Sequence, residues 1–246
     1  MLDEVRNDRR DDETDAGLLS ARRGWRVVCV DPDDDGDHTG ERISACGPEG
    51  DEFGDATRLL RERRRAMGAH RADALWFGDP LHAWLACLEG RSDGLDHSRL
   101  VALSAGMREV LAMRDALIAS LLAPELDEDA LTSMASSPHS PPNVRRLTRM
   151  IEGTFGDASR RPDPSRCARG IGELERIVRD SPESYRVQPL AAAAYLRWWA
   201  RRGGAVECAL RALTLDGRCT LAAIVLAAEE HGIVPAWAGC ADRRDP

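Results

Sequence analysis

Residues 31–37 read Asp-Pro-Asp-Asp-Asp-Gly-Asp, the stretch of the chain whose spacing comes nearest to a metal site. Asp31, Asp33 and Asp35, followed by Gly36, match the opening of a calcium loop. In such a loop alternate carboxylates supply hard oxygen ligands and the glycine allows a sharp turn. The expected cofactor there is Ca2+ or Mg2+. The match fails at its close, because the bidentate acid should fall at Arg42 and Glu41 stands one place early. A solvated acidic turn at a strand end is the competing reading, and on that reading the chain has no cofactor.

A second kind of chemistry is recognition by large rings. Trp198, Trp199 and Trp237 fall in the helical C-terminal part, and an exposed Trp is a strong anchor for a partner. Core packing is the ordinary use of Trp on such helices. Adjacent residues project about 100° apart, so one of Trp198 and Trp199 is expected in the core and the other over a groove.

The remaining reactive residues form no catalytic pattern. Histidines stand at 38, 70, 82, 97, 139 and 231 with no metalloprotease-type pairing. Cys87 would need His82 or His97 nearby to act as a nucleophile, and otherwise reads as a small core residue, as do Cys29, Cys208 and Cys219. The runs Arg61-Glu62-Arg63-Arg64-Arg65 and Arg160-Arg161 with Arg166 and Arg169 could meet phosphate. The first spreads round a helix, neither has interleaved aromatics to stack bases, and a solvated surface is the simpler reading.

Composition narrows the classes further. All 34 basic residues are Arg, which removes Schiff-base lysines and a P-loop lysine from consideration. A net charge of −8 opposes a surface built to neutralise nucleic acid. Seven cysteines without a Cys-x-x-Cys pair do not form a disulfide framework. The acidic start lacks an apolar signal core, and apolar runs such as residues 221–228 are too short to span a membrane. A cytoplasmic protein, without membrane or nucleic-acid partners, is expected.

The elements that must position these residues follow from periodicity. Residues 1–19 form a charged leader and 238–246 a tail, both expected to be disordered. Residues 20–97 are expected to form a small α/β unit. It has a strand at 25–30, a helix at 55–69, and strands at 74–77 and 83–88 joined by the Gly78-Asp79-Pro80 turn. Residues 98–237 predict a helical domain. Ser104 reads as the cap of a helix running to Leu122, residues 136–143 as a linker, and 205–215 and 218–231 as the last two helices. Gly203-Gly204 makes the turn before them, and Gly204, Ala209, Leu210, Ala212, Leu213, Leu215 and Asp216 resemble a single tetratricopeptide-type hairpin.

Residues 188–237, from Gln-Pro-Leu-Ala-Ala-Ala-Ala to Pro-Ala-Trp, resemble the C-terminal signature of the actinobacterial domain-of-unknown-function family 4192. Residues 113–121 (MRDALIASL) and 71–87 (RADALWFGDPLHAWLAC) are similar to its Arg-Asp-Ala-Leu helix and its pair of short strands. The likeness covers roughly residues 55–237, while the family's Gly-Phe-x-Pro opening has no counterpart. It implies a fold and no activity.

The fold class expected is α+β, mainly α: a small strand-containing N-terminal unit plus a C-terminal helical bundle with a tetratricopeptide-like helix pair. The function expected is a non-catalytic module that binds a protein partner through its helical half. A divalent-metal-dependent binder or enzyme using the acidic loop is the alternative.

Overall fold

The computed structural model describes residues 51–239. The strand expected at 25–30, the acidic loop at 31–37, the leader and the residues beyond 239 lie outside the described residues. Those described belong to one compact unit and are helical throughout, with no strand among them. The expected α+β class is therefore corrected to all-α for this part of the chain.

Local chemistry sets most helix ends. Helix α1 (Glu52–Met67) starts at Asp51, whose carboxylate accepts from the Gly54 N–H at 3.0 Å. It carries Glu52 and Asp55 in its first turn and Arg64 and Arg65 in its last, each sign suited to the nearby end of the helix dipole. Helix α2 (Ala69–Leu88) follows directly. Asp96, Asp127 and Asp163 cap α3 (His97–Glu109), α5 (Glu128–Ser136) and α7 (Pro164–Asp180) in the same way. Between them run α4 (Leu111–Leu122) and α6 (Pro141–Gly156), the latter with proline in its first turn. A 3-10 turn (Glu183–Tyr185) leads to α8 (Val187–Trp199), α9 (Ala205–Leu215), α10 (Thr220–Glu230) and the short α11 (Ala236–Gly239).

Helix α2 overturns both short strands. Its buried residues Ala72, Asp73, Trp76, Phe77, Pro80, Leu81, Trp84, Cys87 and Leu88 recur every three to four positions, a helical stripe that the apolar runs at 74–77 and 83–88 had disguised. Pro80 sits inside the helix and removes one backbone bond. Its ring is buried, and Asp79 beside it is held by the Arg99 guanidinium at 2.9 Å. Packing outweighs the turn preference of Gly78-Asp79-Pro80.

The helix expected from Ser104 to Leu122 is also corrected. The backbone leaves the helix at Val110 (φ −138°, ψ 92°), dividing α3 from α4. Ser104 lies inside α3, fully buried, with its hydroxyl 3.0 Å from that of Ser181. The expected linker at 136–143 is narrowed to residues 137–140, since Ser136 ends α5 and residues 141–143 open α6.

Helices α4 and α8 form the centre. In α8 every residue from Leu190 to Leu196 is buried, as are Trp198 and Trp199. It packs against α3, α4, α7, α9 and α10, which explains why its sequence is apolar on all sides. Gly170 of α7 allows a close approach, because a Cβ there would stand 2.9 Å from a Leu121 methyl and 3.1 Å from one of Leu88.

Candidate functional site

Most residues singled out by sequence prove to be structural. Trp198 and Trp199 are both buried, so neither covers a groove. The Trp198 indole donates to the Ile233 carbonyl at 2.9 Å and packs on the rings of Phe155 and Tyr195. Trp237, half-buried in α11, donates to the Trp199 carbonyl at 3.1 Å. The Trp198 and Trp237 indoles fasten the last segment of the fold to the end of α8.

The second basic cluster closes helix ends. Arg169 donates through Nε to the Leu88 carbonyl at 2.8 Å, and Arg166 donates to that of Ser120 at 3.1 Å. Two guanidinium groups of α7 thus satisfy carbonyls at the C-terminal turns of α2 and α4, where cations are favoured. Arg160 faces Glu125 and Asp157.

No nucleophile is set up by the expected partners. Cys87 is buried beside the Ser92 hydroxyl, and burial pushes its thiol pKa up, away from thiolate chemistry. His82 is bound to Glu128 at 3.0 Å and His97 to Glu52 at 2.6 Å. Ser137 Oγ lies 2.7 Å from His70 Nδ1, but that nitrogen is also 3.4 Å from the Ser136 carbonyl and the imidazole is exposed. This contact ties the start of α2 to the end of α5. Among the described residues no group of His, Cys, Asp and Glu is arranged to hold a metal ion.

What the fold does assemble is a groove of about 660 Å³ between α7, α8 and α9. Its floor is apolar, formed by Val178, Leu190, Ala193 and Cys208, all buried. Its rim carries Arg179, Arg186, Arg197 and Arg211 against Glu175 and Glu207, with Asp180 just outside beside Arg179, so arginine outnumbers carboxylate. The arginines are held to different degrees. Arg197 is fixed by Glu175 and the Gly203 carbonyl, while its buried Nε has no partner. Arg186 donates to the Ser181 carbonyl at 2.8 Å and Arg179 to Asp180 at 3.1 Å.

Gly203 and Gly204 close one end of the groove. Gly204 has φ 89°, a left-handed turn that lets α9 fold back along α8. On the adjoining face of α9, Val206 and Leu210 are 42% and 52% exposed, an apolar shoulder beside the charged rim. Burial raises the Cys208 thiol pKa, so the floor is uncharged.

This groove was not foreseen, since its lining comes from three helices. The one available signal was the hairpin itself, in which Gly203-Gly204 and the alanines of α9 bring α8 and α9 together. No family model, no curated protein and no solved structure matches the chain. Among the described residues no helix is long and apolar enough to cross a membrane.

Proposed function

We propose that the chain is a non-catalytic interaction module whose α7–α8–α9 groove takes an acidic, amphipathic segment of a protein partner. Its main support is one observation, an apolar floor beneath a rim on which arginine outnumbers carboxylate. Apolar side chains of the segment would lie over the part of the floor left open at Val178 and Cys208, and its carboxylates would pair with Arg179, Arg186 and Arg211. Charge on the rim favours encounter and excludes basic sequences more than it adds affinity. The shoulder of Val206 and Leu210 would extend the contact.

The test uses a fluorescein-labelled helical peptide of Asp, Glu and Leu, with Leu at every third or fourth position, and its Lys-for-acid counterpart. The acidic peptide is expected to bind the full chain and the basic one to fail. The double variant Arg179→Glu/Arg211→Glu should weaken the acidic peptide by about tenfold or more, since it replaces attraction by repulsion at two rim positions. Equal affinity for both peptides, or no response to charge reversal, would reject the reading.

A further inference from the structure

A second recess, of about 330 Å³, lies where α1, α3 and the 3-10 turn meet, and it is independent of the peptide groove. Its charged lining is wholly cationic: Arg58, Arg61 and Arg65 from α1 and Arg108 from α3, with no carboxylate among the lining residues. From outside, Asp55 pairs with Arg58 at 2.7 Å and Glu109 binds Arg61 through two bonds of 2.6 and 2.9 Å. Asp51, which caps α1, lies against Gly54 at one end of the recess, so four guanidinium groups meet three nearby carboxylates and one positive charge is left over. Arg108 lies over the Tyr185 ring at 4.5 Å and donates to the Ser184 carbonyl at 3.3 Å. Arg65 has no partner among the described residues. The recess also holds neutral hydrogen-bonding groups, the Tyr185 and Thr57 hydroxyls, 3.0 Å apart.

The geometry points to a site for a small phosphate monoester in this recess. A monoester carries about −1.5 to −2 charge near neutrality and three acceptor oxygens, which suits a recess whose guanidinium groups outnumber the carboxylates around it. Planar guanidinium groups bind phosphate oxygens with two parallel donors. Arg61 and Arg108 are pre-positioned by Glu109 and Tyr185, and Arg65 is the cation left to engage a ligand. The volume falls at the small end of ligand pockets, room for a phosphate on a short polar stem. The hydroxyls of Thr57 and Tyr185, buried and bonded to each other, form the neutral wall beside that stem. Arg61 and Arg65 belong to the run noted in the sequence; Arg108 and Tyr185 come from far along the chain and were not singled out.

Calorimetric titration of the full chain at low ionic strength with glycerol 3-phosphate is the test, with glycerol, sulfate and a short phosphoserine peptide as separate arms. One saturable site for glycerol 3-phosphate and none for glycerol are expected. Arg65→Gln should weaken binding by about tenfold, the loss of one charge-assisted contact. Tyr185→Phe, which keeps the ring against Phe53, should weaken it less, and Arg71→Gln, an exposed cation on α2, should leave it unchanged. Sulfate binding as tightly as the ester, or an equal loss in Arg71→Gln and Arg65→Gln, would overturn the site by showing only general charge attraction. Binding of the phosphoserine peptide without glycerol 3-phosphate would overturn the assignment to a small ligand.

Discussion

Around α2 the interior is filled by large rings, and around the middle of α8, ahead of its own Tyr195, Trp198 and Trp199, it is filled by alanines. Trp76, Phe77 and Trp84 of α2 are all buried, and both indoles end in a hydrogen bond to another helix. Trp76 donates to the Ala102 carbonyl of α3 at 2.9 Å, and Trp84 to the Ser120 hydroxyl of α4 at 2.9 Å. In α8, Ala191, Ala192, Ala193 and Ala194 are buried, and the facing helices offer Ala209, Ala212 and Ala222. One region gains contact area per residue; the other gains it by bringing backbones close. They should therefore fail in opposite ways, the first when a side chain is shortened and the second when one is lengthened.

Trp84→Ala is the largest expected break. It opens a ring-sized void and removes a donor from the Ser120 hydroxyl, which keeps its bond to the Leu117 carbonyl, at a cost of about 3–5 kcal/mol, read as a lowered urea midpoint with an unchanged slope. A loss below about 1 kcal/mol would show that the rings are not what holds α2.

The next prediction concerns the one charged side chain buried within the ring-filled region. Asp73 is 3% exposed, and burial raises its pKa from 3.8 to about 6 despite the opposing charges of Arg64 and His70. The folded state thus binds a proton that the unfolded state has released. The stability this provides is complete below the ordinary carboxylate pKa and is lost as pH rises through about 6. Asp73→Asn should remove this fall, worth on the order of 2–3 kcal/mol, and so be relatively more stable at neutral pH. Melting curves at several pH values between about 4 and 7 decide it; an unchanged slope in the variant would assign the titration to another group.

Ala212→Leu is the complementary change on the alanine side. With Ala212 fully buried in α9, the longer side chain should force α9 off its neighbours at about 1–3 kcal/mol. The same substitution at exposed Val206 should be close to neutral. If Ala212→Leu stabilises instead, the alanine-lined region contains space that the comparison denies.

These contrasts also explain what could be read in advance. The bounds of α9 were legible because its alanines repeat at helical spacing and Gly203-Gly204 makes the turn before it. Helix α2 was misread because Trp76-Phe77 and Trp84 resemble short buried strands, and Gly78-Asp79-Pro80 is a strong turn signal. Only the packing of α3, α5 and α7 around α2 makes a helix through Pro80 the better solution. One of Trp198 and Trp199 was expected in the core and the other over a groove, whereas α8 is enclosed and buries both. The two arginine-lined recesses were less accessible still. Thr57, Arg108 and Tyr185 meet only through tertiary structure, so no local spacing could reveal them.

The enclosure of α8 has a consequence for how the chain reaches its final state during synthesis. Its neighbours are drawn from both sides of it in sequence, α3, α4 and α7 before it and α9 and α10 after it. A nascent chain that has emerged only as far as Trp199 therefore holds a continuous apolar rod with one side bare. Closure must wait until Glu230 has left the ribosome, and until then that rod is a target for holdase chaperones. In the finished protein the same helix should be the last to exchange its amide hydrogens with solvent, since every route to it passes through a neighbour.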